Sequence, residues 1–99
     1  MTRLIYGSTA AKHYWPDFRE PSDFEMISTT GPEEGCDFVE GFRLIEDWAA
    51  GDYVAPDALY TIKVSHAAWD VRWDKTMKDI IFMGEKGCKL IPELYKALY

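Results

Sequence analysis

The hydrophobic pattern of the chain begins with a short apolar run that ends in a glycine. Leu4-Ile5-Tyr6 is apolar throughout and is followed by Gly7, which is typical of a central strand buried on both faces. Ser8 is a residue type that caps helices, so we expect a short helix over Thr9–Tyr14. The tryptophan-proline pair that follows should end this helix, because the residue before a proline avoids the helical region.

Two further strands are predicted in the next segment. From Asp23 to Met26 acidic and apolar residues alternate, so a strand here would place its two acids on one face. Residues 31–35, which read GPEEG, predict a turn. We therefore expect 36–39 to form a third strand, paired with the second in a hairpin.

The rest of the chain shows the apolar spacing of helices. Four are predicted: one over 42–50 ending at Gly51, one over 56–64 beginning at Pro56, a long one closed by Gly84 and Gly87, and a last one beginning at Pro92. On the long helix an apolar stripe is assigned to the core rather than to a base-stacking platform; it comprises Trp69, Trp73, Met77, Ile80 and Ile81. The pattern predicts one α+β domain over 1–99, with a small mixed sheet of three or four strands covered by about four helices.

Composition narrows the class of protein. The chain has 99 residues and is 47% hydrophobic, which suits one small domain. Its net charge of −6 argues against a basic groove for nucleic acid and against attraction to anionic membranes. No apolar run approaches the roughly 20 residues that cross a bilayer, and the start lacks a secretory pattern. We expect a cytoplasmic protein without direct nucleic-acid binding.

The cysteines give little sign of metal or redox chemistry. Cys36 and Cys88 are far apart, and neither belongs to a paired spacing typical of zinc sites. We expect buried or half-buried free thiols. A metal site that combines them with His13 and His66 is disfavoured because the four residues are so scattered.

Candidate chemistry is concentrated in the first quarter of the chain. A glycine-serine turn before a helix offers backbone N–H groups to a phosphate, and Asp23 and Glu25 on one strand face can converge on a magnesium ion. Ordinary structural roles are the alternatives: Gly7-Ser8 as a plain strand-to-helix turn, and the two acids as solvated residues of an edge strand. Lys12 and Arg19 are candidates for contacting a triphosphate.

Two longer stretches carry a resemblance to a known family. They are LIYGSTAAKHYWPDFREPSDFEMIS near the start and LYTIKVSHAAWDVRWDKTMKDIIFMGEKGCKLIPELYKALY at the end. The order of strand, Gly-Ser, short helix and then two acids resembles nucleotidyltransferases of the polymerase-beta type. The sequence of the two stretches as a whole resembles a group of bacteriophage-encoded proteins similar to them. Glu25 stands where that family usually has aspartate.

The resemblance implies a metal-dependent nucleotidyl transfer, with a role for each matched residue. Gly7-Ser8, with Lys12, would hold a nucleoside triphosphate, and Asp23 and Glu25 would bind Mg²⁺. Asp37, on the third strand, would be the general base that activates an acceptor hydroxyl.

A second hypothesis belongs to another class of function. The chain also suits a non-catalytic phage inhibitor that binds a host defence protein, for example an anti-CRISPR-like protein. Three features agree with this: the net negative charge, the long spacing from Ser8 to Asp23 and the resemblance to phage proteins. Such a protein would act in the host cytoplasm. An exposed aromatic or acidic patch away from Gly7-Ser8 would favour it.

Overall fold

The computed structural model describes residues 3–21, 24–39, 42–67 and 73–98, without the side chains of Phe42 and Trp73. Asp23 and Trp69 lie outside these residues. Over the described part, the chain forms a four-stranded mixed sheet and five α-helices, so the predicted α+β class is confirmed. None of the helices in this part is both long and apolar enough to cross a bilayer.

The elements follow one another along the chain with short connections. In order they are β1 Arg3–Ile5, α1 Gly7–Tyr14, β2 Met26–Ser28, α2 Phe42–Ile45 with a 3₁₀ turn at Glu46–Trp48, β3 Ala49–Ala50, β4 Tyr53–Val54, α3 Pro56–His66, α4 Trp73–Glu85 and α5 Pro92–Leu98.

The sheet has the order β2-β1-β4-β3, with β1 as one of the two central strands. β1 pairs antiparallel with β2, placing Leu4 opposite Ile27, and parallel with β4, placing Ile5 opposite Tyr53. β3 pairs antiparallel with β4. The predicted central strand is therefore confirmed, although it runs over Arg3–Ile5 instead of 4–6 and only Leu4 within it is fully buried.

Helix α1 begins earlier than the sequence pattern predicts. Gly7 has a φ of 65°, a conformation that glycine adopts readily, and it turns the chain directly from β1 into the helix. Tyr6 occupies the N-cap position and makes no capping hydrogen bond with its side chain. The prediction of Ser8 as the cap is wrong, because Ser8 lies within the first turn of the helix, where it is buried.

The predicted hairpin between the second and third strands is also wrong. The segment after the turn makes an isolated parallel bridge, Ile27 with Asp37. The Asp37 N–H donates to the Met26 carbonyl at 2.9 Å, and the Ser28 N–H donates to the Asp37 carbonyl at 2.9 Å. The Ser28 hydroxyl also donates to the Gly31 carbonyl. The segment at Asp37 thus runs parallel to β2, whereas a tight hairpin turn joins only antiparallel strands.

The helix predicted over 42–50 ends early. α2 stops at Ile45, which is fully buried, and Ala49 and Ala50 belong to β3. Gly51, with a φ of 65°, begins the two-residue loop between β3 and β4 instead of ending a helix. Alanine favours helices, but pairing with β4 overrides that preference here.

The core lies between the sheet and helices α1, α3, α4 and α5. The Thr61 hydroxyl donates to the Asp57 carbonyl at 2.8 Å and accepts from the Ile91 N–H at 2.9 Å, which fastens the start of α5 to α3. The cysteines Cys36 and Cys88 are free and half-buried, as predicted. The buried cluster comprises Leu4, Ala10, Ile27, Ile45, Val54, Ala58, Leu59, Ile62, Met83, Ile91 and Leu94.

Helix α4 presents a different face to the core from the one its apolar stripe predicts. Thr76, Asp79 and Met83 are buried, at intervals of three and four residues. Ile81, predicted to be in the core, is 56% exposed. The stripe prediction is wrong at this residue because a charged residue, Asp79, takes the inward position.

Candidate functional site

A polar cleft of about 430 Å³ lies between the start of α1, the segment that leads into β2, and the neighbouring faces of α3 and α4. Most of the side chains that matter to its chemistry are polar or charged. Acidic groups come from Glu25 and Asp37, and basic groups come from Arg19, Lys63 and Lys75. The cleft therefore combines both signs of charge within one concave surface.

Glu25 lies against the first turn of α1. The Ser8 N–H points toward Glu25 Oε1 at 3.4 Å, and the Glu25 N–H donates to Thr9 Oγ1 at 3.3 Å. A β-carbon added at Gly7 would be only 2.7 Å from the Glu25 carboxylate carbon, so a larger residue there would displace this carboxylate from the helix start. The carboxylate occupies the helix start that the sequence argument assigns to a phosphate.

Asp37, the second acidic residue of the cleft, is held by a hydrogen bond from a tyrosine. The Tyr6 hydroxyl donates to Asp37 Oδ2. Burial, the hydrogen bond to Asp37 and the charges of Asp37 and Glu25 together raise the pKa of Tyr6 far above its ordinary value. Tyr6 therefore stays protonated at neutral pH and remains a donor to one oxygen of Asp37.

An ion cluster centred on a buried carboxylate lies beside the cleft, on the side of α3 and α4. Asp79, with a side chain only 4% exposed, accepts from Arg19 through both carboxylate oxygens, with Nε at 2.9 Å and Nη2 at 2.6 Å. Lys63 Nζ lies 3.0 Å from the same Oδ2. One carboxylate thus fixes two cations that border the cleft.

Two opposing effects act on the pKa of Asp79. Burial raises it, whereas the hydrogen bond from Arg19 and the positive charge and hydrogen bond of Lys63 lower it. The two cations prevail, and the pKa lies below its usual range. Asp79 is therefore ionised at neutral pH despite its burial.

Arg19 also connects this cluster to helix α1. Its Nη2 donates to Ser8 Oγ at 2.8 Å as well as to Asp79. A single guanidinium thereby joins the loop after α1, the first turn of α1 and the middle of α4. The position of Ser8 in the cleft is consequently linked to that of Asp79 on α4.

The structure brings together five of the residues chosen from sequence. Along the cleft lie Gly7, Ser8, Arg19, Glu25 and Asp37, although they come from different segments. Asp23, the other predicted metal ligand, lies outside the described residues. Glu25 precedes β2 rather than lying within a strand, so the predicted strand face shared with Asp23 is not formed by β2 as described.

Lys12 is not brought to the cleft. Its ammonium group donates to the carbonyls of Pro16 and Phe18, at 2.7 and 2.8 Å, and pairs with Glu20 at 3.3 Å. These contacts hold it to the loop after α1, because Lys12 lies in the last turn of the helix, beside that loop. Arg19 and Lys63 provide positive charge to the cleft where Lys12 does not.

Sequence reasoning missed two residues of the site, Asp79 and Tyr6. An acid on an amphipathic helix ordinarily lies on its solvated face, so the pattern of α4 does not select Asp79. A signal exists in its spacing, because Asp79 lies three residues after Thr76 and four before Met83, on one helical face. Tyr6 was interpreted only as an apolar strand residue.

The donor set agrees in kind with a magnesium site. Of the two predicted ligands, Glu25 borders the cleft and offers carboxylate oxygens, which are the ligands that Mg²⁺ prefers. Across the described ranges, no three histidine, cysteine or acidic side chains are grouped so that they would hold a metal ion. The metal site that the resemblance implies also needs Asp23, which lies outside the described residues.

Comparison with known proteins assigns no activity to the chain. A family model described as "Domain of unknown function (DUF7275)" matches residues 58–99. This stretch includes Lys63 and Asp79 but not Ser8 or Glu25, so it covers only one side of the cleft. No curated protein and no solved structure matches the chain.

We expect Gly7→Ala to destabilise the protein more than Gly51→Ala. Both glycines have a φ of 65°, so both substitutions carry the backbone cost of about 1 kcal/mol. At Gly51 a β-carbon meets nothing within 4 Å, whereas at Gly7 it overlaps the Glu25 carboxylate. Chemical denaturation measures the difference.

A double-mutant cycle isolates the contact with Glu25. Combined with Glu25→Ala, the cost of Gly7→Ala should fall to that of Gly51→Ala. An unchanged excess cost in the Glu25→Ala background would show that the carboxylate is not what requires glycine at this position.

We expect Asp79→Asn to lower the free energy of unfolding by about 2 to 3 kcal/mol at neutral pH, because two cations lose their partner. A carboxylate whose pKa is lower in the folded than in the unfolded state stabilises the fold at pH values above its unfolded pKa. This contribution to the free energy of unfolding is lost as pH falls toward the folded-state pKa. The difference between wild type and variant should therefore shrink as pH falls below about 4.

Urea denaturation at a series of pH values measures this difference. Asp17→Asn is the matched control, since Asp17 pairs with Lys86 at 2.9 Å while its side chain is 63% exposed. An exposed pair contributes little, so its effect should be much smaller. Equal effects for Asp17→Asn and Asp79→Asn would contradict the special role of the buried cluster.

Proposed function

We propose that the chain binds a nucleoside triphosphate in this cleft and transfers its nucleotidyl group to an acceptor hydroxyl, in a magnesium-dependent reaction. One observation carries the proposal: Gly7, Ser8, Glu25 and Asp37 border a single cleft. These are four of the six residues that the nucleotidyltransferase resemblance selects. The mixed charge of the cleft suits a ligand that is anionic and is handled with a divalent cation.

Phosphate oxygens would be held on the basic side of the cleft. Ser8 lies within the first turn of α1, and Arg19 and Lys63 converge on the same oxygen of Asp79. Fixed cations stabilise the charge that develops on a leaving pyrophosphate, and they do so without reorganising during the reaction.

Magnesium would be held on the acidic side, by Glu25 together with Asp23. When bound, the ion neutralises phosphate charge and orients the triphosphate. Glu25 lies against Gly7 and the Ser8 N–H. A phosphate that approaches this helix start therefore meets a carboxylate, which favours binding of the nucleotide together with its cation.

Asp37 would act as the general base. Tyr6 donates to Asp37 Oδ2, which leaves Oδ1 to accept the proton of an acceptor hydroxyl. The acceptor oxygen then forms a bond to the α-phosphorus, the bond from that phosphorus to the β-phosphate bridging oxygen breaks, and pyrophosphate leaves. The proton ends on Asp37.

Phe24 suits contact with the base of the nucleotide. Its side chain is 67% exposed, yet it borders a polar cleft. Exposed aromatic rings at such positions stack on nucleobases, with little preference among them. We propose Phe24 as the stacking residue.

The alternative is a non-catalytic phage protein that binds a host defence protein in the host cytoplasm. An exposed aromatic or acidic patch away from Gly7-Ser8 would support it. Outside the cleft lining, the exposed large apolar side chains of the described residues are Phe38 at 42%, Ile81 at 56% and Leu90 at 40%. They are single residues on different segments, and isolated exposed apolar residues are common on protein surfaces. The cleft therefore favours the nucleotide proposal.

We expect Glu25→Gln to weaken magnesium-dependent binding of nucleoside triphosphate at least tenfold and to lower turnover by roughly 100-fold, because a neutral amide is a poor magnesium ligand. Asp23→Asn should act in the same direction. Calorimetry with each of the common nucleoside triphosphates, with and without MgCl₂, measures binding, and release of pyrophosphate measures turnover.

Glu20→Gln is the control for this substitution. Glu20 has a side chain 85% exposed and pairs with Lys12, outside the cleft. It undergoes the same chemical change, so its binding and turnover should match wild type. Undiminished turnover in Glu25→Gln and in Asp23→Asn would refute the proposed reaction, and no nucleotide binding by wild type would direct the search to protein partners.

We expect Phe24→Ala to weaken nucleoside triphosphate binding by about tenfold, the usual effect of losing one base–aromatic stack. The affinity for inorganic pyrophosphate should not change, because pyrophosphate has no base. Phe38→Ala is the control, since Phe38 is 42% exposed and is not part of the cleft lining. Equal losses for nucleotide and pyrophosphate would exclude stacking.

A further inference from the structure

The buried carboxylate that binds two of the cleft's cations is a group that the proposed reaction does not use. Asp79 has a side chain 4% exposed and accepts hydrogen bonds from Arg19 through both of its oxygens. A carboxylate so placed is too buried to reach a ligand in the cleft. Its effect on a ligand must pass through the groups that it holds.

The hydrogen bond between Arg19 and Ser8 makes the serine oxygen an acceptor and leaves the serine hydroxyl proton for another partner. Arg19 Nη2 donates to Ser8 Oγ at 2.8 Å. A guanidinium can only donate, so the serine oxygen is the acceptor in this contact. The single proton of the Ser8 hydroxyl is then left for another acceptor. Since Ser8 borders the cleft, an anion bound there can accept that proton.

The two cations have little freedom to move away from this position. Arg19 is held by a forked, two-point contact with Asp79, which fixes the plane of the guanidinium. Lys63 comes from α3 and is bound 3.0 Å from Asp79 Oδ2, the oxygen that also accepts from Arg19 Nη2. Both positive groups border the cleft. The ligand therefore meets a fixed array of donors.

We propose that Asp79 is a positioning residue for a pyrophosphate-type ligand: through Arg19 it sets the Ser8 hydroxyl as a donor into the cleft, and it holds Lys63 beside the same guanidinium. The inference rests on the proposed function and identifies the part of the cleft that receives the β- and γ-phosphates. Its ligand chemistry is that of two linked phosphate groups.

Charge and geometry predict opposite effects of removing this carboxylate. Asp79→Asn makes the cleft more positive by one unit, so attraction of an anion by charge alone would tighten pyrophosphate binding. Loss of the fixed Arg19–Ser8 arrangement would weaken it, because oriented charged hydrogen bonds are lost. The sign of the change therefore distinguishes a positioning role from a purely electrostatic one.

The test is calorimetric titration of inorganic pyrophosphate, with MgCl₂ present, into wild type and three variants. We expect about tenfold weaker binding in Asp79→Asn and in Ser8→Ala. Arg19→Lys keeps the charge but lacks the planar guanidinium that bonds to Ser8 and Asp79 together. Its affinity for pyrophosphate should fall by about the same factor. Asp17→Asn, which changes the net charge equally at an exposed site, should bind like wild type.

The outcomes separate this inference from the proposed function. If Asp79→Asn binds pyrophosphate as tightly as wild type or more tightly, the positioning role is refuted while nucleotide binding still stands. If Asp79→Asn does not fold, as judged by circular dichroism, wild-type affinity in both Arg19→Lys and Ser8→Ala refutes it. If wild type binds neither pyrophosphate nor nucleoside triphosphate, the proposed function fails and this inference fails with it.

Discussion

The shared carboxylate of Asp79 is the contact on which the cleft depends. It binds Arg19 from the loop after α1 and Lys63 from α3, and Arg19 continues to Ser8 at the start of α1. A carboxylate that is only 4% exposed would be strongly unfavourable alone, and two cations compensate it. The chain thus uses one buried charge to join three helices and a loop. The same contact leaves positive groups along the wall of the cleft.

The opposite wall is arranged by a second set of contacts. Gly7 allows the Glu25 carboxylate to approach the first turn of α1, and Tyr6 directs one oxygen of Asp37. The acidic wall and the basic wall meet at this first turn, which carries Ser8. An anionic ligand with a divalent cation satisfies both walls at once, whereas a bare anion satisfies only one. This complementarity is the physical basis of the nucleotidyl-transfer proposal.

The sequence predicted those features that depend on local pattern. The buried strand β1, the end of α1 before a proline and the start of α3 at Pro56 follow from hydrophobic runs and from proline chemistry. Features decided by tertiary contacts could not be predicted in the same way. The alanines of β3 are helix formers that pair with β4, and Asp79 is an acid that faces inward because two cations from distant segments reach it. Within the site, the residues near Gly7 were found from their motif. Of the two basic candidates, Arg19 borders the cleft, whereas Lys12 binds the loop after α1 instead. A lysine's neighbours in the fold cannot be deduced from its position along a helix.

A crystal structure with a non-hydrolysable nucleoside triphosphate and Mg²⁺ tests the account most directly. We predict that the β- and γ-phosphates contact Ser8, Arg19 and Lys63, with Asp79 still bound to both cations beneath them. The metal ion should contact Glu25, and the base should lie against Phe24. A nucleotide bound elsewhere, or phosphates within the cleft that contact neither Ser8 nor Arg19, would contradict the account.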